Sequence, residues 1–522
     1  MKAHILLLRQ RGKKTDSRLF AMEQLGLSYV AAVARANNFS VEIVDGVLEP
    51  DRYANLLSSV RTGDYLVIGY PVYHETILRV AGDVTLLRRR GVETHITIGN
   101  YLATFCGSEI LRDFPVFDSA VRGEGESTLA ELTSCLVTGK DLSAVLGLSY
   151  RKGAECIQNP PRPNVHNLDD LPFPVRDTLP IVLRTRNAPL IYSSRGCNFR
   201  CEFCSVHKFY RDSGNGHWRG RSPRNVVDEM ERLACEFGVK EFAFADEQFM
   251  GHGPAGVDRA LGIAQELLGR GLRFHWYIET RSSDVTLPVF RTLHEAGLRS
   301  VFMGVESGFD PALRALRKGL KTEQHLHAID VLKSLEILPT IGFIMFRPDT
   351  TMEELSANLS FLEEIGCGEI TALATQLKVY GGTDLMHSLR STGRLEGSYL
   401  DYQWQFSDHR VKGCYQIAME NADILALTYN EFSRVRRKGL LTYEEALRLQ
   451  RVMNAGPITI MKDVIKEVAD YESVPQDLAL RMRIRFEQAC EDFLTLLRFS
   501  EAVAGKRNLE DGVQLLNPMS LC

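Results

Sequence analysis

No stretch of this chain approaches about 18 uninterrupted apolar residues, so hydropathy gives no membrane-spanning helix. The run Ile5-Leu6-Leu7-Leu8 after Met1-Lys2-Ala3 is too short for the apolar part of a secretory signal, and the protein is expected to be cytoplasmic. Charge of one sign is equally scarce. A formal net charge of −4 gives no electrostatic footprint of a nucleic-acid binder. No Gly-x-Gly-x-x-Gly follows the first apolar run; Arg9-Gln10-Arg11-Gly12-Lys13-Lys14 stands there, and a dinucleotide is not the obvious ligand. A disulfide framework is missing too. Of eleven cysteines, those at 106, 135, 156, 235, 367, 414, 490 and 522 are scattered and read as free thiols in a reducing compartment.

The other three cysteines are not scattered. Cys197, Cys201 and Cys204 lie in Ser-Ser-Arg-Gly-Cys-Asn-Phe-Arg-Cys-Glu-Phe-Cys (193–204), and three thiolates so spaced can hold an iron–sulfur cluster. A [4Fe–4S] cluster normally takes four thiolates, so three leave one iron open to substrate or cofactor. The apolar residues Pro189-Leu190-Ile191-Tyr192 suit a strand delivering its end to this loop, and Gly196 lets the backbone turn tightly. Zinc is the other reading. It would want a fourth ligand such as His207, and no second Cys-x2-Cys pair lies nearby.

This Cys-x3-Cys-x2-Cys loop, with an aromatic residue before the last cysteine, resembles the radical S-adenosylmethionine (SAM) superfamily. The resemblance implies that Phe203 packs beside the SAM adenine. It implies that Asp246 or Glu247, in Phe244-Ala245-Asp246-Glu247-Gln248-Phe249, holds the SAM amino group, although the usual Gly-Gly-Glu is absent. Arg281 is implied to pair with the SAM carboxylate, and Glu306 with Ser307 to meet the ribose hydroxyls.

At 522 residues and 44% hydrophobic the chain has room for about three domains. Residues 1–150 alternate strand-like and helix-like segments, which predicts a doubly wound α/β domain with its ligand beyond the carboxyl ends of the strands. Those ends carry Tyr70-Pro71-Val72-Tyr73-His74, Gly99-Asn100 and Gly123-Glu124-Gly125-Glu126. The phrases resemble the cobalamin-binding domain of a large branch of radical SAM proteins, and these eleven residues are the cobalamin contacts implied. Glycines at 99, 123 and 125 allow backbone to approach a bulky corrin. The first loop has no histidine ligand for cobalt. The segment Tyr70–His74 resembles the one that faces the lower side of the corrin in this branch, which implies His74 as a neighbour or ligand of cobalt, its other reading being a hydrogen-bonding group.

Prolines at 160, 161, 163, 172, 174 and 180 mark a linker over 151–185. Residues 186–394 resume the alternation and predict a partial (β/α)6 barrel with its chemistry at the strand ends, including strands at 338–345 and 370–379. Arg347 departs from the family's usual phrase and is expected to project charge into the active site. Residues 395–522 predict a mainly helical specificity region, with helices over 422–437, 443–470 and 476–504. Tyr402, Trp404, Phe406, Asp408 and His409 precede them and either line a substrate pocket or pack onto the barrel.

The resemblance as a whole implies a cobalamin-dependent radical SAM enzyme using a [4Fe–4S] cluster, SAM and cobalamin. Its expected reaction moves a methyl group from SAM through methylcobalamin to an unactivated carbon, or a phosphinate phosphorus, of a biosynthetic intermediate. No catalytic triad is needed, because the cofactors carry the chemistry. The expected partners are a small-molecule or peptide-derived substrate and an external one-electron reductant. The alternatives are a cyclase or rearrangement enzyme of the same architecture and, in another class, a noncatalytic corrinoid sensor.

Overall fold

The computed structural model describes residues 4–12, 22–185, 187–211, 218–468 and 474–510. Lys13, Lys14, residues 469–470 of an expected helix and Cys522 lie outside them. The chain divides into two units: residues 1–199, 204–274 and 379–403, and residues 200–203, 275–378 and 404–522.

In the first unit a seven-stranded sheet runs in the order β2-β1-β3-β4-β5-β6-β7. Its strands are β1 (Ile5–Arg9), β2 (Val41–Asp45), β3 (Val67–Pro71), β4 (His95–Gly99), β5 (Ser119–Val121), β6 (Leu148–Lys152) and β7 (Glu155–Gln158). The first five pair in parallel and the last two join antiparallel, so the sheet continues past residue 150 into the proline-marked stretch. Helices α1 (Leu25–Ala36), α2 (Pro50–Ser59), α3 (Ile77–Arg89), α4 (Asn100–Asp113) and α5 (Glu126–Thr138) connect the strands.

The uninterrupted apolar run of β1, whose side chains point alternately to opposite faces, explains why both faces are covered. Leu6 and Leu8 pack with Ile68, Ile96 and Ile98 under α2, α3 and α4. Ile5 and Leu7 turn the other way, joining Val41, Ile43 and Val67 under α1 and α5. Each such fully buried side chain contributes about 1.5–3 kcal/mol. The strand order reverses between β1 and β3, which opens the crevice where ligands of such sheets bind. Periodicity does not mark α4, which is kinked at Cys106, a residue with non-helical φ −127°.

The same unit carries β8 (Leu190–Ile191), β9 (Ser194–Gly196), β10 (Trp218–Gly220) and β11 (Glu241–Phe244). β8 pairs in parallel with β11, and β9 antiparallel with β10. The proline-rich segment is fastened by Arg176, which is buried and bonds Glu23 at 2.6 Å and Glu229 at 2.8 Å.

In the second unit β12 (His275–Thr280), β13 (Leu298–Glu306) and β14 (Leu338–Phe343) pair in parallel, with helices between them. The strand expected at 370–379 does not form. Ile370–Ala374 is a 3-10 helix, and a single bridge, Phe346 with Gln376, remains. At that bridge Phe346 N bonds Thr375 O at 3.0 Å and Leu377 N bonds Phe346 O at 2.8 Å, while Trp404 takes Leu377 O at 2.9 Å. Just before the segment Gln450 bonds Cys367 O at 2.8 Å and Asn454 bonds Gly368 O at 2.6 Å. The C-terminal part is helical at His409–Glu420, Ala422–Arg437, Tyr443–Val468 and Gln476–Glu510. Among the described residues no helix is long and apolar enough to cross a membrane.

Candidate functional site

A cavity of about 460 Å³ opens at the carboxyl ends of β1, β3, β4 and β5 in the first unit. Its floor is apolar, formed by Leu7, Val30, Thr97, Val121 and Leu129 around Gly69. A Cβ on Gly69 would stand 2.9 Å from Leu7 Cδ2, so glycine keeps this floor open. The mouth is polar, with Tyr73, Asn100, Tyr192, Arg195 and Glu247. An apolar well beneath a hydrogen-bonding rim fits a cofactor made of a flat ring system and a tail. Two rim residues hold the left-handed backbone conformation that favours glycine, Asn100 at φ 83° and Gly123 at φ 71°.

Buried ion pairs fix one wall. Arg195 bonds Glu124 at 3.0 Å and Glu126 at 2.6 Å, and Arg219 bonds Glu124 at 2.8 Å. Burial works against each charge. Glu126 and Glu124 nevertheless hold Arg195 well above its ordinary pKa, and Arg195 with Arg219 holds Glu124 below the usual carboxylate range. The Arg195 guanidinium also lies 4.9 Å above the Tyr29 ring. The Glu124 and Glu126 carboxylates thus bind protein cations, while the residues themselves still line the cavity.

The stretch 70–74 divides. Tyr70, Pro71 and Tyr73 line the cavity, whereas Val72 is fully buried in the sheet core. His74 lines a neighbouring cavity of about 310 Å³, with Phe105, Ser205 and Tyr380, and its ring meets Tyr380 edge-on at 5.3 Å. Gly99 and Gly125 sit on the main cavity.

Asp246 and Glu247 follow β11 but differ in setting. Asp246 is fully buried and accepts bonds from Ser193 N and Oγ, both at 2.7 Å, and from Ser194 N. Burial lifts its pKa to about 6 against the pull of Arg259. Glu247 instead faces the cavity. It accepts from Tyr101 Oη at 3.1 Å, Tyr210 Oη at 3.2 Å and the amide of Gly196 at 3.1 Å. Burial first, and the Glu247 charge second, raise the pKa of both tyrosines well above the ordinary value, so both remain donors.

In the second unit Arg281, which is buried, points Nη1 at Cys201 Sγ across 3.7 Å and bonds the carbonyl of Lys318. Lys318 Nζ in turn bonds Glu306 Oε1 at 2.9 Å, and Glu306 holds a left-handed φ of 69°. Ser307 Oγ donates to Asn358 Oδ1 at 2.8 Å. Phe203 is half-buried. Arg347 does not project charge: Glu354 binds its guanidinium through two bonds, 3.0 and 2.7 Å, and both residues are buried. Phe406 packs among Phe346, Trp404 and Tyr415.

Cys201 is buried, and Cys197 and Cys204 are half-buried. Among the described residues no three His, Cys, Asp or Glu side chains converge on one metal ion. Cluster ligation does not require that, since each thiolate reaches a different iron. Three thiols on one loop, one beside a guanidinium, suit an anionic cluster better than a single tetrahedral ion.

Sequence reasoning left out Tyr101, Tyr192, Arg195, Tyr210 and Arg219. Arg195 was the legible one, because a cation two residues before the first cysteine of a cluster loop needs a partner.

Family models match two parts of the chain, the B12 binding domain over residues 15–133 and the radical SAM superfamily over residues 191–362. An uncharacterized methyltransferase of Pyrococcus horikoshii is 30% identical over 65% of this chain and 73% of its own length. The anaerobic magnesium-protoporphyrin IX monomethyl ester cyclase of Rubrivivax gelatinosus is 26% identical, over 63% of this chain and 60% of its own. Among solved structures, the cobalamin-dependent SAM radical enzyme OxsB, with aqua-cobalamin and SAM bound, superposes with a TM-score of 0.74 at 19% identity. That match covers 98% of this chain and 81% of OxsB.

Proposed function

Because this chain belongs to the radical SAM superfamily and carries a B12 binding domain, we propose that it methylates an unactivated carbon, or a phosphinate phosphorus, of a biosynthetic intermediate. Its cofactors are a [4Fe–4S] cluster, SAM and cobalamin. When bound, the cluster and SAM supply hydrogen abstraction from a strong C–H bond, and cobalamin supplies a transferable methyl group.

The observation that carries this reading is the shared wall of the 460 Å³ cavity. Gly99, Gly123 and Gly125, from the B12-binding stretch, line it together with Tyr192, Arg195 and Glu247, from the stretch that bears the first cysteine. Under this reading Tyr70, Pro71, Tyr73, Gly99, Asn100 and Gly123–Glu126 hold cobalamin, and the apolar floor excludes water from its tail. Val72 supports that wall from the core, and His74 borders it from the adjoining cavity. Cys197, Cys201 and Cys204 hold the cluster.

Asp246 and Glu247 both stay candidate acceptors for the SAM ammonium: Asp246 is held by Ser193 and Ser194, and Glu247 by Tyr101, Tyr210 and the Gly196 amide. Arg281 and Glu306 would orient the SAM carboxylate and ribose, with Phe203 and Ser307 beside them. Arg281 would do so while donating to a cluster thiolate.

Cyclisation or rearrangement is the second reading, favoured by the cyclase of Rubrivivax gelatinosus among the relatives. Anaerobically reconstituted protein, given SAM, reductant and candidate extracts, separates the two by untargeted mass spectrometry. Methylation adds one methyl-sized mass and yields S-adenosylhomocysteine. A product without that gain, together with 5′-deoxyadenosine, supports the second reading and contradicts the first.

A further inference from the structure

The middle of the cysteine loop is fastened to a surface turn. In the second unit the amide of Glu202 donates to Leu316 O at 3.0 Å, and Arg281 ties Cys201 to the carbonyl of Lys318. Residues 316–318 form the end of the short helix Asp310–Ala315 and its exit turn, closed by Arg317 N to Arg314 O at 3.0 Å and Lys318 N to Leu313 O at 2.9 Å.

This turn and the loop expose mostly cations. Within residues 200–203 and 310–324 the exposed charged side chains are Arg200, Arg314, Arg317 and Lys321 against one carboxylate, Glu323. Two further acids, Glu202 and Asp310, are half-buried, and Asp310 is bound by Thr322 N at 2.8 Å and Oγ1 at 3.1 Å. Lys318 points inward to Glu306. Arg317 holds φ 51°, a conformation that favours glycine. A long side chain there is strained. That strain puts a charge at the apex of the turn bonded to a cluster-loop residue.

We propose that Arg200, Arg314, Arg317 and Lys321 form the docking surface for an acidic one-electron donor protein, which reduces the cluster through the Cys201 side of the loop. Charge complementarity selects the occupant. The net charge of the whole chain is −4, so an acidic partner is repelled on average and needs a local cationic target. The proposal rests on the cluster and not on the identity of the substrate or the fate of the methyl group.

The test follows cluster bleaching by stopped flow in the anaerobically reconstituted full chain. Reduced flavodoxin is the acidic protein donor, and dithionite is the small one. With flavodoxin, the triple variant R200E/R317E/K321E is expected to slow reduction about tenfold or more, and the wild-type rate to fall as salt rises. With dithionite the two proteins should be reduced alike. The charge-conserving variant R200K/R317K/K321R should keep the flavodoxin rate. Equal flavodoxin rates for wild type and charge-reversed protein overturn the proposal. So does a wild-type rate indifferent to salt, a measurement that stands even where the triple variant does not assemble a cluster. Failure of the methylation reading would leave all these rates unchanged.

Discussion

Arg281 Nη1 stands 3.7 Å from Cys201 Sγ, and both groups are buried. A guanidinium donating to a cluster thiolate stabilises the more negative, reduced state, because hydrogen bonds to sulfur and local charge set the potential of such clusters.

Arg281→Met is therefore expected to make the cluster harder to reduce, and Arg281→Lys to fall between. Each tenfold change in the one-electron equilibrium corresponds to about 59 mV. An EPR-monitored redox titration of the reconstituted protein measures the shift. An unchanged or raised midpoint in Arg281→Met would show that the contact does not tune the cluster.

Cobalamin binding should separate cleanly from the cluster. Gly123→Ala puts a side chain on a φ of 71°, at a cost of about 1–2 kcal/mol, in a residue that lines the cavity. Cobalamin retained through gel filtration, read by absorbance, should drop in this variant. In Cys201→Ala it should persist while cluster iron is lost.

Arg195 closes a buried network with Glu124 and Glu126. Arg195→Met leaves two buried carboxylates without that partner, and the expected loss of stability is about 3–5 kcal/mol. Urea unfolding of the cofactor-free chain measures it. Glu126 loses its Arg195 bond outright, whereas Glu124 keeps Arg219.

His325 is fully buried, bonded to Ser282 Oγ at 2.7 Å, with Arg281, Lys318 and Asp310 around it. Burial first, then the two cations, pull its pKa from 6.5 down to about 3. Between these values the unfolded chain binds the extra proton, so this residue's contribution to stability rises with pH and is lost as pH falls. At about 1.36 kcal/mol per unit, the stability lost by the acid end is on the order of 5 kcal/mol. His325→Gln should flatten the stability profile between about pH 4 and pH 7 in urea titrations. A profile as steep as wild type would assign the acid sensitivity to other groups.

Much of this molecule was legible in the sequence where spacing carries chemistry. The three cysteines, the strand-end glycines and the uninterrupted apolar run of β1 each admit few physical readings. What stayed hidden depends on partners distant in sequence. Asp246 and Glu247 are neighbours of like charge, and only the fold shows that the first is held by Ser193 and Ser194 while the second faces a cavity. Arg347 looked like a charge for the active site because Glu354, one helical turn into the next element, could not be recognised as its mate. The segment 370–379 reads as a strand, yet its first half bonds to itself as a 3-10 helix, Ala372 N to Glu369 O at 2.9 Å and Thr375 N to Ala372 O at 3.3 Å, and Trp404 captures the carbonyl of Leu377. Periodicity reads what a segment buries, and not which side chain takes its backbone.

The central claim is that one chain uses the open iron and cobalamin together. The most direct measurement gives the reconstituted protein, its iron and cobalamin contents verified, SAM carrying a trideuteriomethyl group and a low-potential reductant. Mass spectrometry then follows 5′-deoxyadenosine and the label on cobalamin. The account predicts both, the first lost in Cys201→Ala. Full cofactor occupancy with intact SAM and unlabelled cobalamin would contradict it.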